Sequence, residues 1–283
     1  MLDLAAARRR LGRLGQQASG AVLQGRGWRQ IGRRARLPAK YRPFRRYDPE
    51  ALAEVEAGEV VSPVAVGGET FAVGDLGPST TVGSVADDLA RDAYRLDQLD
   101  LGPGDVVVDI GAHVGLVSMA IARRHPHVVV YALEPMPVTF LLLKRNLGRN
   151  RVANVVPLRL AVTADGGDLH LQMWPGNTGG ATGFLWGRSG EATSVDAKGT
   201  TLDDLFAGLG IVRCRLLKID CEGAEHGILT STGVLDRVDE VRAEFHINRR
   251  LESQGHSIEG LASHVASVVG AEHLVYEACR MAD

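Results

Sequence analysis

VVVDIGAHVGLVSMAIARRH, Val106 to His125, changes character once, at its glycines. VVVDIG is a short apolar run rich in valine, the pattern of a strand buried on both faces. GLVSMAIARRH reads as helix. Between them, Gly111 and Gly115 stand four residues apart. Glycine admits positive φ and lets backbone or ligand approach closely, so a tight strand-to-helix turn is expected here.

The same alternation spreads outward. VVVYALEP is a second strand and VTFLLLKRNLGRN a second helix. VVPLRLAV is a third strand. RCRLLKID and EVRAEFHI are two more, with EGAEHGILTST as a helix between them. SIEGLASHVASVVG is a helix opened by Ser257 and closed by Gly270, and HLVYEACR is a last strand. Strands alternating with helices predict an α/β fold with a doubly wound, mostly parallel sheet. Upstream, GEVVSPVAVGGETFAVGDLG predicts a hairpin turning at Gly67-Gly68. VADDLARDAYRLDQLDL predicts one amphipathic helix, with Val85, Leu89, Ala93, Leu96 and Leu99 on one face. Together they read as an N-terminal cap over residues 47–100, ahead of a main domain over 101–283. MWPGNTGGATGFLWGRSGEATSVDAKGT is polar and glycine-rich and reads as a long functional loop. Its Trp174 and Trp186 are candidates for the floor of a substrate pocket or, equally, for anchoring the loop.

Composition narrows the class. The chain has 283 residues and a net charge of -2, so it is no general polyanion binder. Residues 1–46 are Arg-rich against a single acid, Asp3, and read as a basic arm that is solvated or meets a partner. Cys214, Cys221 and Cys279 form no CxxC pair, which suits a reducing compartment and a cytoplasmic location. No apolar run of about 18 residues is present, so no membrane span is expected.

Ligands of such sheets bind beyond the C-terminal strand ends. Glu134 in ALEP lies about 20 residues past the glycine turn, where an acid can take both hydroxyls of a ribose. That position serves NAD and S-adenosylmethionine alike. Asp109 decides between them, since a carboxylate repels a pyrophosphate but can face a cation. S-adenosylmethionine carries a sulfonium and an ammonium and no phosphate. Neither a Tyr-x-x-x-Lys pair, a Walker A loop nor HExxH is present.

DIGAHVG, LEPMPVTFLLLKRNL, LRLAV, NTGG, GTTLDDL and LLKIDCEGAEHGIL follow one another in the order of a known family. From about Ser79 to His246 the chain resembles the FkbM-type methyltransferases. The resemblance implies a class I, Rossmann-like fold and methyl transfer from S-adenosylmethionine, usually to a hydroxyl oxygen of a sugar or polyketide. The donor is then expected at Asp109, Gly111, Ala112, His113, Gly115, Glu134, Pro135, Ala161 and Asp220. His113 stands where the family often has Asn. Ala161 and Val162 are placed to line an adenine pocket or to serve as plain core.

LLKIDCEGAEHGIL puts three carboxylates, Asp220, Glu222 and Glu225, where a buried strand ends. They can hold a metal, orient a hydroxyl or face the donor's ammonium, although a first helical turn favours acids in any case. Glu244 and His246 are two apart and share one side of the next strand. His246 is expected near Asp220 across adjacent strand tips. The catalytic candidates are therefore His246, Asp220 and Glu222. Two routes to the hydroxyl proton stay open: His246 as base, or a magnesium ion (Mg2+) on Asp220, Glu222 and Glu244. Lys218 is expected to pair with one of these acids, and Asp203 or Asp204 to cap a helix. The partner expected is a small-molecule hydroxyl acceptor, with no DNA; self-association is left open. Two other readings compete: an RNA methyltransferase gripping phosphates with the basic arm, and a non-catalytic module that only binds S-adenosylmethionine.

Overall fold

The computed structural model describes residues 37–174, 176–182 and 193–281. Two 3-10 turns, Ala39–Tyr41 and Pro43–Arg45, precede helix α1 (Pro49–Gly58), which Asp48 caps by accepting from Glu50 N. Strands β1 (Glu59–Val66) and β2 (Glu69–Leu76) pair as the expected antiparallel hairpin. Gly67 and Gly68 both have positive φ, as its two-residue turn requires. Helix α2 (Thr81–Ala90) leads to β3 (Val106–Ile110), α3 (Leu116–Arg124), β4 (Val129–Leu133), α4 (Pro137–Arg149) and β5 (Val155–Leu158). Five short strands follow: β6 (Ala161–Val162), β7 (Leu169–Trp174), β8 (Asn177–Thr182), β9 (Thr193–Ala197) and β10 (Gly199–Thr200). The chain closes with α5 (Leu202–Leu209), β11 (Cys214–Ile219), α6 (Glu225–Ser231), β12 (Val238–Ile247), α7 (Arg249–Ser253), α8 (Ile258–Val269) and β13 (Leu274–Arg280).

Six strands form the central sheet in the order β13-β12-β11-β3-β4-β5, and every neighbouring pair is parallel. Alternate residues serve two cores, as the two-residue period of a strand requires. Val107, Val130 and Ala132 join α3, α4 and the hairpin on one face. Val108, Ile110, Tyr131 and Leu133 join α5, α6 and α8 on the other. Leu141, Leu142 and Leu143 are all buried, because α4 lies between the sheet and the α1–β2 cap. The chain winds outward from β3 through β4 and β5, then starts again at β11 on the other side of β3. That reversal opens a crevice at the C-terminal ends of β3 and β11. This is the expected doubly wound, Rossmann-like fold, with all six strands parallel.

Three local expectations change. Helix α2 ends at Ala90 instead of running on to Leu99. The Asp92 carboxylate accepts from Leu96 N at 2.6 Å and competes with helical hydrogen bonding, while Asp92 and Arg95 take positive φ. The glycine-rich segment is not all loop: β7, β8 and β9 form a three-stranded antiparallel sheet. Its signal was the alternation LHLQMW, with Leu171 and Met173 buried. Trp186 lies outside the described residues. The cap of α5 is Thr201, which accepts from Asp204 N; Asp203 instead accepts from Thr232 and from Gly233 N.

Residues 1–36 of the basic stretch also lie outside the described residues. Its remainder is tied to the main body. The Tyr41 hydroxyl donates to Asp204 O at 2.9 Å, Arg159 N to Phe44 O at 2.7 Å, and Lys144 Nζ to Arg45 O at 2.9 Å. Among the described residues no helix is long and apolar enough to cross a membrane.

Candidate active site

The β3 turn is built around close backbone contact. Gly111 has φ 76°, and a Cβ there would fall 1.7 Å from the Asp220 carbonyl oxygen at the tip of β11. A Cβ on Gly115, φ 89°, would meet Leu143 at 2.2 Å. The loop is held to the β4 tip by hydrogen bonds from Gly111 N and Ala112 N to Leu133 O. Glu134 completes this unit. Its Oε2 accepts from His113 N at 2.9 Å, and its Oε1 from Met136 N at 2.9 Å and Thr139 at 2.8 Å. Burial pushes its carboxyl up to about 7, against hydrogen bonds from Thr139, Met136 and His113 that favour the charged form. Asp109 lies beneath the loop, wholly buried, taking a hydrogen bond from Ser118 at 2.5 Å, with Lys218 at 3.5 Å.

His113 joins this loop to the inserted sheet. Its Nε2 lies 2.8 Å from Thr178 Oγ1 of β8, and Thr178 lies 2.9 Å from Asp75 and from Ser79. Burial holds the His113 ring down to about 4, although Asp75 and Asp220 pull the other way, so it is neutral. A hydrogen on Nε2 satisfies the chain: His113 and Ser79 donate to Thr178, and Thr178 donates to Asp75.

The tip of β11 is organised by charge. Lys218, almost fully buried, reaches Asp220 at 3.2 Å, Asp109 at 3.5 Å and the Gly111 carbonyl at 3.1 Å. Burial alone would lower its pKa, but Asp220, Asp109 and Glu244 raise it, so it stays charged. The chain then turns through Glu222 (φ 53°) and Gly223 (φ 104°). Glu225, wholly buried, fixes this turn by accepting from Cys221 N at 2.7 Å and Gly223 N at 2.9 Å. From β12, His246 Nδ1 lies 3.1 Å from Glu225 and Nε2 lies 3.8 Å from Glu222. Glu244 accepts from the Tyr94 hydroxyl. Burial would lower the His246 pKa, but Cys279, Glu225 and Asp220 hold it up to about 12. Burial pushes Glu222 up to about 7, with His246 acting against it.

Most of the expected residues converge. Gly111, Ala112, His113, Lys218 and Asp220 line one cleft with Val82, Val85 and Tyr94. Glu134 braces the cleft loop, with the half-buried Pro135 beside it. Ala161 and Val162 are buried in apolar clusters. Glu244 and His246 share one side of β12, as their spacing requires, and Glu222 comes within 3.8 Å of His246 from the turn after β11. The His246 ring lies between two acids, Glu225 at Nδ1 and Glu222 near Nε2, which favour its protonated form. Asp220, Glu222 and Glu244 do not come together as a compact ligand set among the described residues. Among the described residues, Glu244, His246 and Cys279 bring ligand atoms within 4.8 Å of one another. Nitrogen and sulfur donors do not suit magnesium, which takes oxygen ligands. Asp75, Tyr94 and Cys279 were missed: each sits in a plain strand or turn, and only the fold brings it here. Thr178 was visible only as part of NTGG.

Residues 109–264 match the methyltransferase FkbM domain family. The 31-O-demethyl-FK506 methyltransferase FkbM of Streptomyces tacrolimicus is 31% identical over 182 residues, covering 54% of this chain and 70% of that protein. Methyltransferase sdnD of Sordaria araneosa is 30% identical over 161 residues, 47% of this chain and 62% of that one. Among solved structures, the precorrin-6y C5,15-methyltransferase of Geobacter metallireducens shares 14% identity with a TM-score of 0.38, over 62% of this chain and 70% of that one. That likeness is too slight to add to what the sheet order shows.

Proposed function

The chain belongs to the FkbM methyltransferase family, and on that premise we propose that it moves a methyl group from S-adenosylmethionine to a hydroxyl oxygen of a small molecule. The observation that supports this most is the meeting of two unlike ends at one crevice. Glycine backbone and Glu134 stand at the β3–β4 tips, and a cluster of acids with His246 at the β11–β12 tips. Glu134 takes the ribose hydroxyls of the donor. Each carboxylate oxygen has room for two hydrogen bonds, and Oε2 receives one from His113 N. Asp220, already paired with Lys218, stands between donor and acceptor.

The hydroxyl oxygen attacks the methyl carbon as the carbon–sulfur bond breaks. The bonding pair stays on sulfur as the neutral thioether S-adenosylhomocysteine. The hydroxyl proton passes to the acceptor end, where Asp220, Glu222 and His246 hold the oxygen and receive the proton as a unit. The name of one relative, 31-O-demethyl-FK506 methyltransferase, describes methylation at an oxygen of a natural product and supports the same choice of atom. Incubating the protein with S-adenosylmethionine and a panel of hydroxylated sugars and macrolides tests the reading. O-methylated product with equimolar S-adenosylhomocysteine is expected. Methylation at nitrogen or carbon alone would overturn the oxygen assignment.

A further inference from the structure

Beyond the region matched by the family, β13 lies parallel to β12 with Cys279 in register opposite His246. Glu244 is on the same side of β12 as His246, and Cys279 Sγ lies 3.6 Å from Glu244 Oε2. The three ligand atoms lie within 4.8 Å of one another. Donors sharing one tetrahedral zinc at 2.0–2.3 Å stand about 3.5 Å apart, so small side-chain movements suffice to close the set. We propose that Glu244, His246 and Cys279 form a binding site for a zinc-class divalent metal ion at the acceptor end of the crevice.

Surrounding contacts already orient such ligands. His246 Nδ1 is fixed by buried Glu225 at 3.1 Å, which leaves Nε2 as the ring nitrogen for a metal, the carboxylate–histidine pairing that aims a zinc ligand. Tyr94 donates to Glu244 and holds that carboxylate in place. Glu222 Oε2, 3.8 Å from His246 Nε2, supplies a fourth donor within reach. Charge points the same way: Asp220, Glu222, Glu225 and Glu244 crowd this end, with Lys218 as the nearby lysine. Thiolate, imidazole and carboxylate together select zinc over magnesium. Metal binding stands by itself. Only its consequence, an ion that polarises the acceptor hydroxyl, rests on the methyl-transfer reading.

The test is a titration of the full-length, chelator-treated protein with cobalt(II), followed by absorbance. One saturable equivalent is expected, with a thiolate-to-cobalt charge-transfer band that zinc abolishes by displacement and excess magnesium does not. Cys279→Ser should remove the band and weaken zinc binding at least tenfold, while Cys221→Ser should keep both. Thermal melting serves as a second readout: zinc should raise the midpoint of wild type and not of Glu244→Gln. A folded wild type without the band, or a band undiminished in Cys279→Ser, overturns the proposal. If Cys279→Ser does not fold, an equal zinc-induced rise in wild type and Glu244→Gln overturns it. S-adenosylmethionine titrated into the same samples keeps this failure distinct from failure of the methyl-transfer reading.

Discussion

The two ends of the crevice are built by different means. At the β3–β4 end, most of the geometry comes from backbone. Two close glycine contacts, Gly111 to Asp220 and Gly115 to Leu143, and three hydrogen bonds onto Glu134 from residues 113–139 shape it. At the β11–β12 end it comes from side-chain charge, gathered from the turn after α2, the tip of β11, the turn into α6, and strands β12 and β13. A surface fixed by backbone suits a ligand held in one pose. A cluster with more acids than cations suits the handling of a proton or cation. The comparison teaches that affinity for the donor and turnover should respond to different substitutions.

Gly111→Ala should break the first end most severely. A Cβ 1.7 Å from a backbone oxygen at φ 76° cannot be absorbed by a side-chain shift. Strain and overpacking together should cost roughly 3 kcal/mol or more, read by denaturant unfolding. At the other end, Glu222→Gln and His246→Ala should each lower single-turnover methyl transfer roughly 10²–10⁴-fold while the protein stays folded. Near-wild-type rates for both would return this cluster to a structural role. Thr178→Val should weaken donor binding by about 1 kcal/mol, because it cuts the tie between His113 and Asp75 without touching the donor. Acidity should have a graded effect. With Glu134 up to about 7, donor affinity should fall as pH drops through that value and the carboxyl is protonated. The sign for stability is opposite. A carboxyl raised in the folded state favours folding as pH falls from about 7 toward its ordinary range. Donor titrations and thermal melts across this window separate the two.

How much of this was legible follows the same division. The sheet, the glycine turn and Glu134 were readable because each lies in a contiguous stretch whose period or spacing has one structural meaning. Glu244 and His246 were readable as same-side neighbours on β12 for the same reason. Cys279 and Tyr94 were not, since their contribution depends on which strand lies beside β12 and where α2 stops. The end of α2 turned on a single competing side chain, Asp92, inside an otherwise good helical pattern. The pairing of His246 with buried Glu225 was hidden too, since Glu225 looked in sequence like an ordinary first-turn acid.

Calorimetric titration of S-adenosylmethionine into folded wild type, Glu134→Ala and His246→Ala tests the division of labour most directly. Wild type should bind one equivalent. Glu134→Ala should weaken binding by roughly 1–3 kcal/mol, the cost of losing hydrogen bonds to a charged group. His246→Ala should leave affinity near wild type. Unchanged affinity in Glu134→Ala, or a loss in His246→Ala as large as that expected for Glu134→Ala, would contradict the account.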